Sequence, residues 1–348
     1  MRVVIVGATG NVGTSLLDSL SDDDHEVVAV ARRRPLRQLP HAEFVAADIV
    51  TADLVELFRG ADAVVHLAWL IQPGRDASLT RRVNVDGSER LLEAAVEARV
   101  PLLVYASSVG AYSPGPKDRL VDESWPTEGI ATSFYARHKA AVERLLDRLE
   151  REQPELRVVR MRPALIFKRS AATEIRRLFA GPLLPGVLLR RGLIPFVPDV
   201  ARLRFQAAHS LDVGDAYRRA IVSGDARGAY NLAGDPPIGS SELTELFDAK
   251  PLRLPAALLR GAAALAYRSR LTPTEPGWVD MALSVPLMDS ARAREELGWV
   301  PKHSSIEALR ELLEGLRAGA DAPTPPLARG TTGPARVREL LTGVGGRP

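Results

Sequence analysis

Residues 2–13 read RVVIVGATGNVG, a β-branched run that ends in a loop with Gly7, Gly10 and Gly13. The run predicts a buried strand, and Val12, Leu16, Leu17 and Leu20 fall on one face of a helix just behind it. A phosphate can sit at such a junction, because the N–H groups of a helix N-terminus point at it and glycines remove the Cβ atoms that would block the approach. Gly13, one turn into the helix, lets helix and strand pack closely. The glycines are spaced three and three, not two and three as in G-x-G-x-x-G. The weight of the motif therefore comes from its place after a buried strand.

The pattern of this first unit repeats along the chain. EVVAVA, AEFVAAD, DAVVHLA, PLLVYASS and LRVVRMRP read as short buried strands, while NVDGSERLLEAAVEA and SFYARHKAAVERLLDRLE read as helices. Continuous β-branched runs separated by helices predict an α/β fold, a doubly wound parallel sheet of the Rossmann type, over residues 1–168. Residues 169–318 read as a smaller, mixed substrate-binding region interleaved with the last sheet elements. There LFAGPLLPGVLLRRGLIPFVP reads as irregular, LDVGDAYRRAIVSG and PAALLRGAAALAYRSR as helices, GAYNLAG as a strand, and SARAREELGWVP as a helix ending in a turn. The Pro/Gly/Thr-rich residues 319–348 read as a flexible tail.

Composition narrows the class. The chain has 348 residues, 46% of them hydrophobic and 26% charged, enough for a large core. It contains no cysteine, which removes disulfides, thiolate catalysis and Cys-ligated metals. A net charge of +3, spread along the chain without a recognition motif, gives no support to a nucleic-acid partner. No apolar run is long enough for a membrane span, and the chain enters a strand directly without a leader pattern, which argues for the cytoplasm. The apolar, Arg-flanked stretches 178–197 and 252–268 read as a lipophilic lid or core helices rather than membrane-surface elements, since neither carries a basic face opposite a clean apolar one. No His/Asp/Glu group has metal-ligand spacing, so no metal is expected, and His66 and His209 read as structural.

Three further stretches carry chemistry. The second strand ends VVAVARRRPLR, with Ala31 where an NAD-type fold places an acid for the ribose, followed by Arg32, Arg33 and Arg34. A guanidinium fork matches phosphate oxygens, which favours NADP over NAD; the plain alternative is a solvated basic loop. YASSVGAY places Ser107 and Ser108 at the carboxyl end of a strand, where open α/β sheets bind ligands. FYARHK places Tyr135 and Lys139 one helical turn apart. A phenol titrates near ~10 in solution, and a neighbouring ammonium favours the phenolate, so Tyr135 can exchange a proton with a substrate oxygen that Ser108 steadies.

In these motifs the chain resembles the extended short-chain dehydrogenase/reductases, often called NAD-dependent epimerases/dehydratases. GATGNVG, AADI, VVHLA, VNVDGSERLLEAA, VYASSVGAY, YARHK, RMRPALIF, HSLDVGDA, YNLAG and EELGWVP occur in the family's order over about residues 1–310. The resemblance implies Ser108, Tyr135 and Lys139 as the catalytic triad, with Asn84 in support and Lys139 also on the nicotinamide ribose. It implies a cofactor cleft of Gly7, Thr9, Gly10, Asn11, Val12, Gly13, Asp48, Ile49, Leu67, Ala68 and Pro163, extended by Arg32 and Arg33 for NADP. Members are commonly dimers, which makes a second copy a candidate partner beside a small-molecule substrate. Several departures bear on the substrate. His138 replaces the usual Ser of YARHK, and RPALIF lacks the usual Y-G-P continuation. Phe205 stands where sugar-nucleotide epimerases place a diphosphate-binding Arg, with Arg204 off by one, and the stretch LTPTEPGWVDMALSVPLMDS before Arg292 contains no second Arg. These departures, with the Leu/Pro-rich lid, point to oxidation or reduction of a relatively apolar alcohol or carbonyl. A nucleotide-sugar epimerase or dehydratase is the alternative, and a non-catalytic dinucleotide sensor, disfavoured by the intact Ser/Tyr/Lys set, is the third.

Overall fold

The computed structural model describes residues 1–39, 41–72, 75–180 and 192–328. Seven strands form one sheet: β1 (Arg2–Val6), β2 (Glu26–Ala31), β3 (Glu43–Ala46), β4 (Ala63–His66), β5 (Leu102–Ala106), β6 (Arg157–Pro163) and β7 (Gly228–Leu232). Their order is β7-β6-β5-β4-β1-β2-β3, and every pairing is parallel. The doubly wound expectation is met in the alternation along β1. Val3 and Ile5 join one core beneath the helices Asn11–Ser19 and Ser210–Val222, while Val4 and Val6 join the core on the opposite face with Leu91, Leu92, Val142 and Leu146. Because both faces are covered, the strand reads as an unbroken apolar run. The order reverses between β1 and β4, which opens a crevice at their carboxyl ends.

Two helices position the site. The stretch expected as one helix over NVDGSERLLEAAVEA is broken: Ala77–Arg81 passes through a π-helical turn, Arg82–Asp86, into Gly87–Glu97. The second helix, Phe134–Glu152, starts at Ser133, whose hydroxyl accepts from the Ala136 N–H. It is held to the sheet by Glu143, which is fully buried. Arg162 grips that carboxylate with two bonds of 2.9 Å, Arg160 adds one of 2.8 Å, and the Ser107 hydroxyl donates another at 2.5 Å. Burial pushes the Glu143 carboxyl up, but the Arg162 and Arg160 guanidiniums outweigh it and hold the group at about 2.

The second half of the chain supplies β7 and the pair Phe196–Asp199 with Lys250–Arg253, and adds Ala207–His209 to Leu165–Phe167 and Leu287–Met288 to Leu120–Val121, all parallel. The helix Ser305–Ala318 closes a separate core through Ala308, Leu309, Leu312 and Leu313. One expectation is corrected. The apolar helix Ala256–Arg268 is not a core helix, for none of its residues is buried. The body covers one side of it only, through the helix Gly277–Ser284 and the cation–π contact of Arg75 on Tyr267. In the tail, Leu327 and Ala328 are buried and the Leu36 N–H donates to the Pro323 carbonyl. Residues 181–191 of the proposed lid and 329–348 of the tail lie outside the described residues. No helix among the described residues is long and apolar enough to cross a membrane.

The Glu143 cluster generates the first prediction. Glu143→Gln leaves Arg162 and part of Arg160 buried without their counter-charge, and a loss of about 3–5 kcal/mol is expected from urea unfolding at neutral pH. Because the folded pKa is depressed, this stabilisation is present above the unfolded value of about 4.5 and is lost as the pH falls toward about 2. The gap between wild type and variant should therefore narrow across that window; a constant gap would contradict the assignment.

Candidate functional site

The glycine loop divides into two kinds of position. Gly7 has a φ of +95°, and a Cβ there would lie 2.7 Å from the Ala68 nitrogen. A Cβ at Gly13 would lie 2.5 Å from the Gly7 carbonyl oxygen. Both glycines are thus demanded by the protein's own backbone. Gly10 is different, since its Cβ would meet only the Gly7 oxygen at 3.5 Å. Gly10 is also the N-cap of Asn11–Ser19, and no side chain caps that helix. An open Cβ position beside uncapped N–H groups fits the close approach of a pyrophosphate.

Around this loop, Thr9 is buried, Val12 packs on the core, and the Asn11 amide donates to the Ile166 carbonyl at 3.2 Å. Beneath it lies Lys168, which no sequence pattern singled out. Its buried ammonium donates to the Asn11 carbonyl and to the hydroxyls of Thr14 and Ser15, and burial brings its pKa down to about 8. Leu67 and Ala68 press against Gly7. The Asp48 carboxylate accepts from the Val50 N–H at 2.9 Å, and Ile49 is buried against Gly87. Arg32, Arg33 and Arg34 stand exposed beyond β2, with Arg34 over the Phe44 ring. Pro163 is buried at the end of β6. Asn84, in the π-helical turn, spends both ends of its amide on the Leu70 backbone at 2.7 and 2.8 Å, so it holds the loop after β4.

Ser108, Tyr135 and Lys139 come together above β5. The Ser108 hydroxyl accepts from the Gly110 N–H at 3.0 Å and lies beside the Tyr135 phenol, whose pKa it pulls down. The Tyr135 ring lies flat on Gly110, where a Cβ would be 2.8 Å from Cε1. Lys139 is 2% exposed, donates to the Ala106 carbonyl at 2.6 Å and sits 3.5 Å from the Trp69 ring centre. Burial holds its ammonium well below the usual range, against the pull of Glu143. The electrostatics differ from the sequence expectation. Burial pushes the Tyr135 phenol up to about 12, and Ser108, rather than Lys139, is the group that opposes it. Lys139 is turned to Ala106 and covered by Trp69, with its nitrogen 5.8 Å from the Tyr135 ring centre.

Aromatic side chains surround the phenol. Trp69 lies 5.9 Å and Trp278 5.0 Å from Tyr135, and Phe179 packs edge-on against Trp278 at 4.8 Å. These three come from separate segments, so no local spacing announces them; the only signal is that the chain has just 4 tryptophans. Near the expected diphosphate position, Arg204 donates to the Lys117 carbonyl, while Phe205 bridges to Ile238. Lys117 returns bonds to the carbonyls of Arg204 and Ala282, and Arg202 reaches those of Gly115 and Leu283. Away from the crevice, His209, Asp212 and His303 converge, a grouping hidden by the wide separation of His303 in sequence. Their atoms are engaged internally: His303 pairs with Asp212 at 3.0 Å, His209 with Glu311 at 2.8 Å, and the two rings stack at 4.0 Å.

Comparison with known proteins places this geometry. The chain is 29% identical over 319 residues to an uncharacterised protein of Mycobacterium tuberculosis, covering 91% of this chain but spanning only 30% of that relative's length. It is 28% identical over 336 residues to a protein of the same species named 3 beta-hydroxysteroid dehydrogenase/Delta 5-->4-isomerase, covering 90% of this chain and 89% of the relative. In fold it is similar to UDP-glucose 4-epimerase of Thermotoga maritima, with a TM-score of 0.68 at 21% identity, covering 92% of this chain and 99% of the other. The profile of the NAD-dependent epimerase/dehydratase family matches residues 3–233, and the chain, with its parallel sheet, glycine loop and Ser/Tyr/Lys cluster in that family's order, belongs to it.

Proposed function

We propose that the protein is an NAD(P)-dependent oxidoreductase that interconverts an apolar carbonyl compound and its alcohol. The observation that carries this reading is the Tyr135 phenol, set beside Ser108 and walled by Trp69, Trp278 and, behind it, Phe179. Flat aromatic surfaces favour an apolar, ring-bearing substrate. The likeness to a protein named as a hydroxysteroid dehydrogenase points the same way.

The residues divide the work. Gly7, Gly10, Gly13 and the first turn of Asn11–Ser19 would hold the pyrophosphate, Asp48 and Ile49 the adenine side, and Lys139 the nicotinamide ribose. When bound, a reduced nicotinamide supplies hydride to the carbonyl carbon. Ser108 donates to the substrate oxygen and steadies its charge, and Tyr135 passes its phenolic proton to that oxygen, completing the alcohol. At about 12 the phenol stays protonated at neutral pH and is ready to donate once the substrate oxygen gains charge. Asn84 acts at one remove, by fixing the Leu70 backbone behind Trp69.

For the cofactor, Ala31 followed by exposed Arg32 and Arg33 favours NADP, since the guanidiniums suit a 2′-phosphate and no acid stands at the strand tip. A second reading, epimerisation or dehydration of a nucleotide sugar, draws on the cations Lys117, Arg202 and Arg204, which gather beside the helix bearing Trp278. Net consumption of NADPH on a panel of ketones and aldehydes supports the first reading. Conversion of a nucleotide sugar without net cofactor consumption supports the second.

Two substitutions test the assignments. Tyr135→Phe should lower kcat by about 10²–10⁴-fold and leave cofactor affinity nearly unchanged; retained turnover removes Tyr135 from proton transfer. Arg32→Asp should weaken NADPH about tenfold or more in a fluorescence titration and leave NADH nearly unaffected, whereas equal effects on both dismiss the phosphate clamp.

A further inference from the structure

The helix Ala256–Arg268 plays no part in the proposed chemistry. Its sequence, AALLRGAAALAYR, is mostly apolar, yet none of its residues is buried. One side faces the body, where Arg75 lies over Tyr267 at 3.9 Å and Arg260 pairs with Asp280 at 2.7 Å. The outward side carries Leu258, 57% exposed, and Leu265, 67% exposed, with Gly261 and Ala262 between them at helical spacing. The elements on either side leave Leu252 and Leu271 exposed as well. A water-facing leucine pair on a rigid helix is unfavourable unless something covers it.

Charge indicates what covers it. From Lys250 to Arg270 the chain holds Lys250, Arg253, Arg260, Arg268 and Arg270 and not one carboxylate. Arg253 has a side chain 95% exposed and only a 3.7 Å approach to Asp199, while Arg268 and Arg270 are exposed. Leucines flanked by cations, in a stretch with no acid of its own, match the acyl boundary and the phosphates of an anionic bilayer. A symmetric contact between two copies through the same face would set each cationic rim against its own like. At 13 residues the helix is too short to cross a bilayer.

We propose that the Ala256–Arg268 face docks on an anionic phospholipid surface. The helix lies in the interface plane, Leu258 and Leu265 enter the acyl boundary, and Lys250, Arg253, Arg268 and Arg270 meet the phosphates. Sequence alone favoured a lipophilic lid or a core helix here over a membrane-surface element; the helix's exposure in the fold is what reopens the surface reading. Docking of this kind would give an oxidoreductase for apolar compounds direct access to substrate dissolved in the bilayer, though the surface assignment does not depend on that chemistry.

The test is co-flotation of the full chain with phosphatidylcholine vesicles that contain about one third phosphatidylglycerol, beside vesicles of phosphatidylcholine alone. Binding is expected on the anionic vesicles, weaker on the neutral ones, and falling as salt is raised. The double substitution Leu258→Ser/Leu265→Ser should lower partitioning about tenfold without shifting Tm, since both side chains already face water. Arg268→Glu/Arg270→Glu should lower it on anionic vesicles only. Lack of binding at low salt, or binding unchanged in both variants, overturns the proposal. So does a dimer in sedimentation that the leucine substitutions dissociate, which would give the face to a second copy.

Discussion

A single buried carboxylate ties the helix that bears Tyr135 and Lys139 to the sheet. Glu143 lies one turn beyond Lys139 and two beyond Tyr135, and it accepts from Arg162, Arg160 and Ser107 at once. In a low-dielectric interior neither the carboxylate nor the guanidiniums can be left alone, so the helix has one depth and one rotation that satisfy them all. Ser107 is the neighbour of Ser108, so the same contact that seats the helix also sets the Ser108 hydroxyl against the Tyr135 phenol. The network continues outward. Arg162 also donates to the Tyr112 hydroxyl, which in turn bonds Asn231 on the edge strand β7. The sheet is thus pinned from its centre to its last strand by one chain of polar contacts.

The cofactor side is organised by sterics instead of charge. Gly7 and Gly13 are fixed by backbone crowding within the protein, whereas Gly10 presents an open edge. Lys168 reinforces the arrangement from below by tying the first turn of the helix to the strand Leu165–Phe167, which pairs with Ala207–His209 of the second half. The two halves of the chain therefore meet directly under the loop. Around Tyr135 the neighbouring side chains are aromatic and come from widely separated segments, Trp69, Phe179 and Trp278.

Local periodicity carried far in the first half. Runs such as VVIV and LLVYA alternate between two buried cores, and that pattern predicts parallel strands covered on both faces. It carried less far where an element's neighbours decide its state. AALLRGAAALAYR reads as an apolar helix of a lid or the core, yet none of its residues is buried. The stretch NVDGSERLLEAAVEA reads as one helix, yet Asn84 bonds the Leu70 backbone from within a π-helical turn. The Tyr135/Lys139 spacing was readable because a helical turn brings them close, but the environment of the phenol was not.

By itself the sequence determined the order of strands and helices, the glycine junction, and the helix bearing Tyr135 and Lys139. Those follow from spacing within a few residues, which the geometry of a strand or a helical turn enforces locally. The tertiary structure alone decided that Glu143 joins Arg160 and Arg162, that Trp69 covers Lys139, that Trp278 and Phe179 wall the phenol, and that Leu258 and Leu265 face outward. Each of these depends on which distant segment arrives beside a residue. Burial, and with it the local dielectric and the cost of an unpaired charge, is set only when the segments pack.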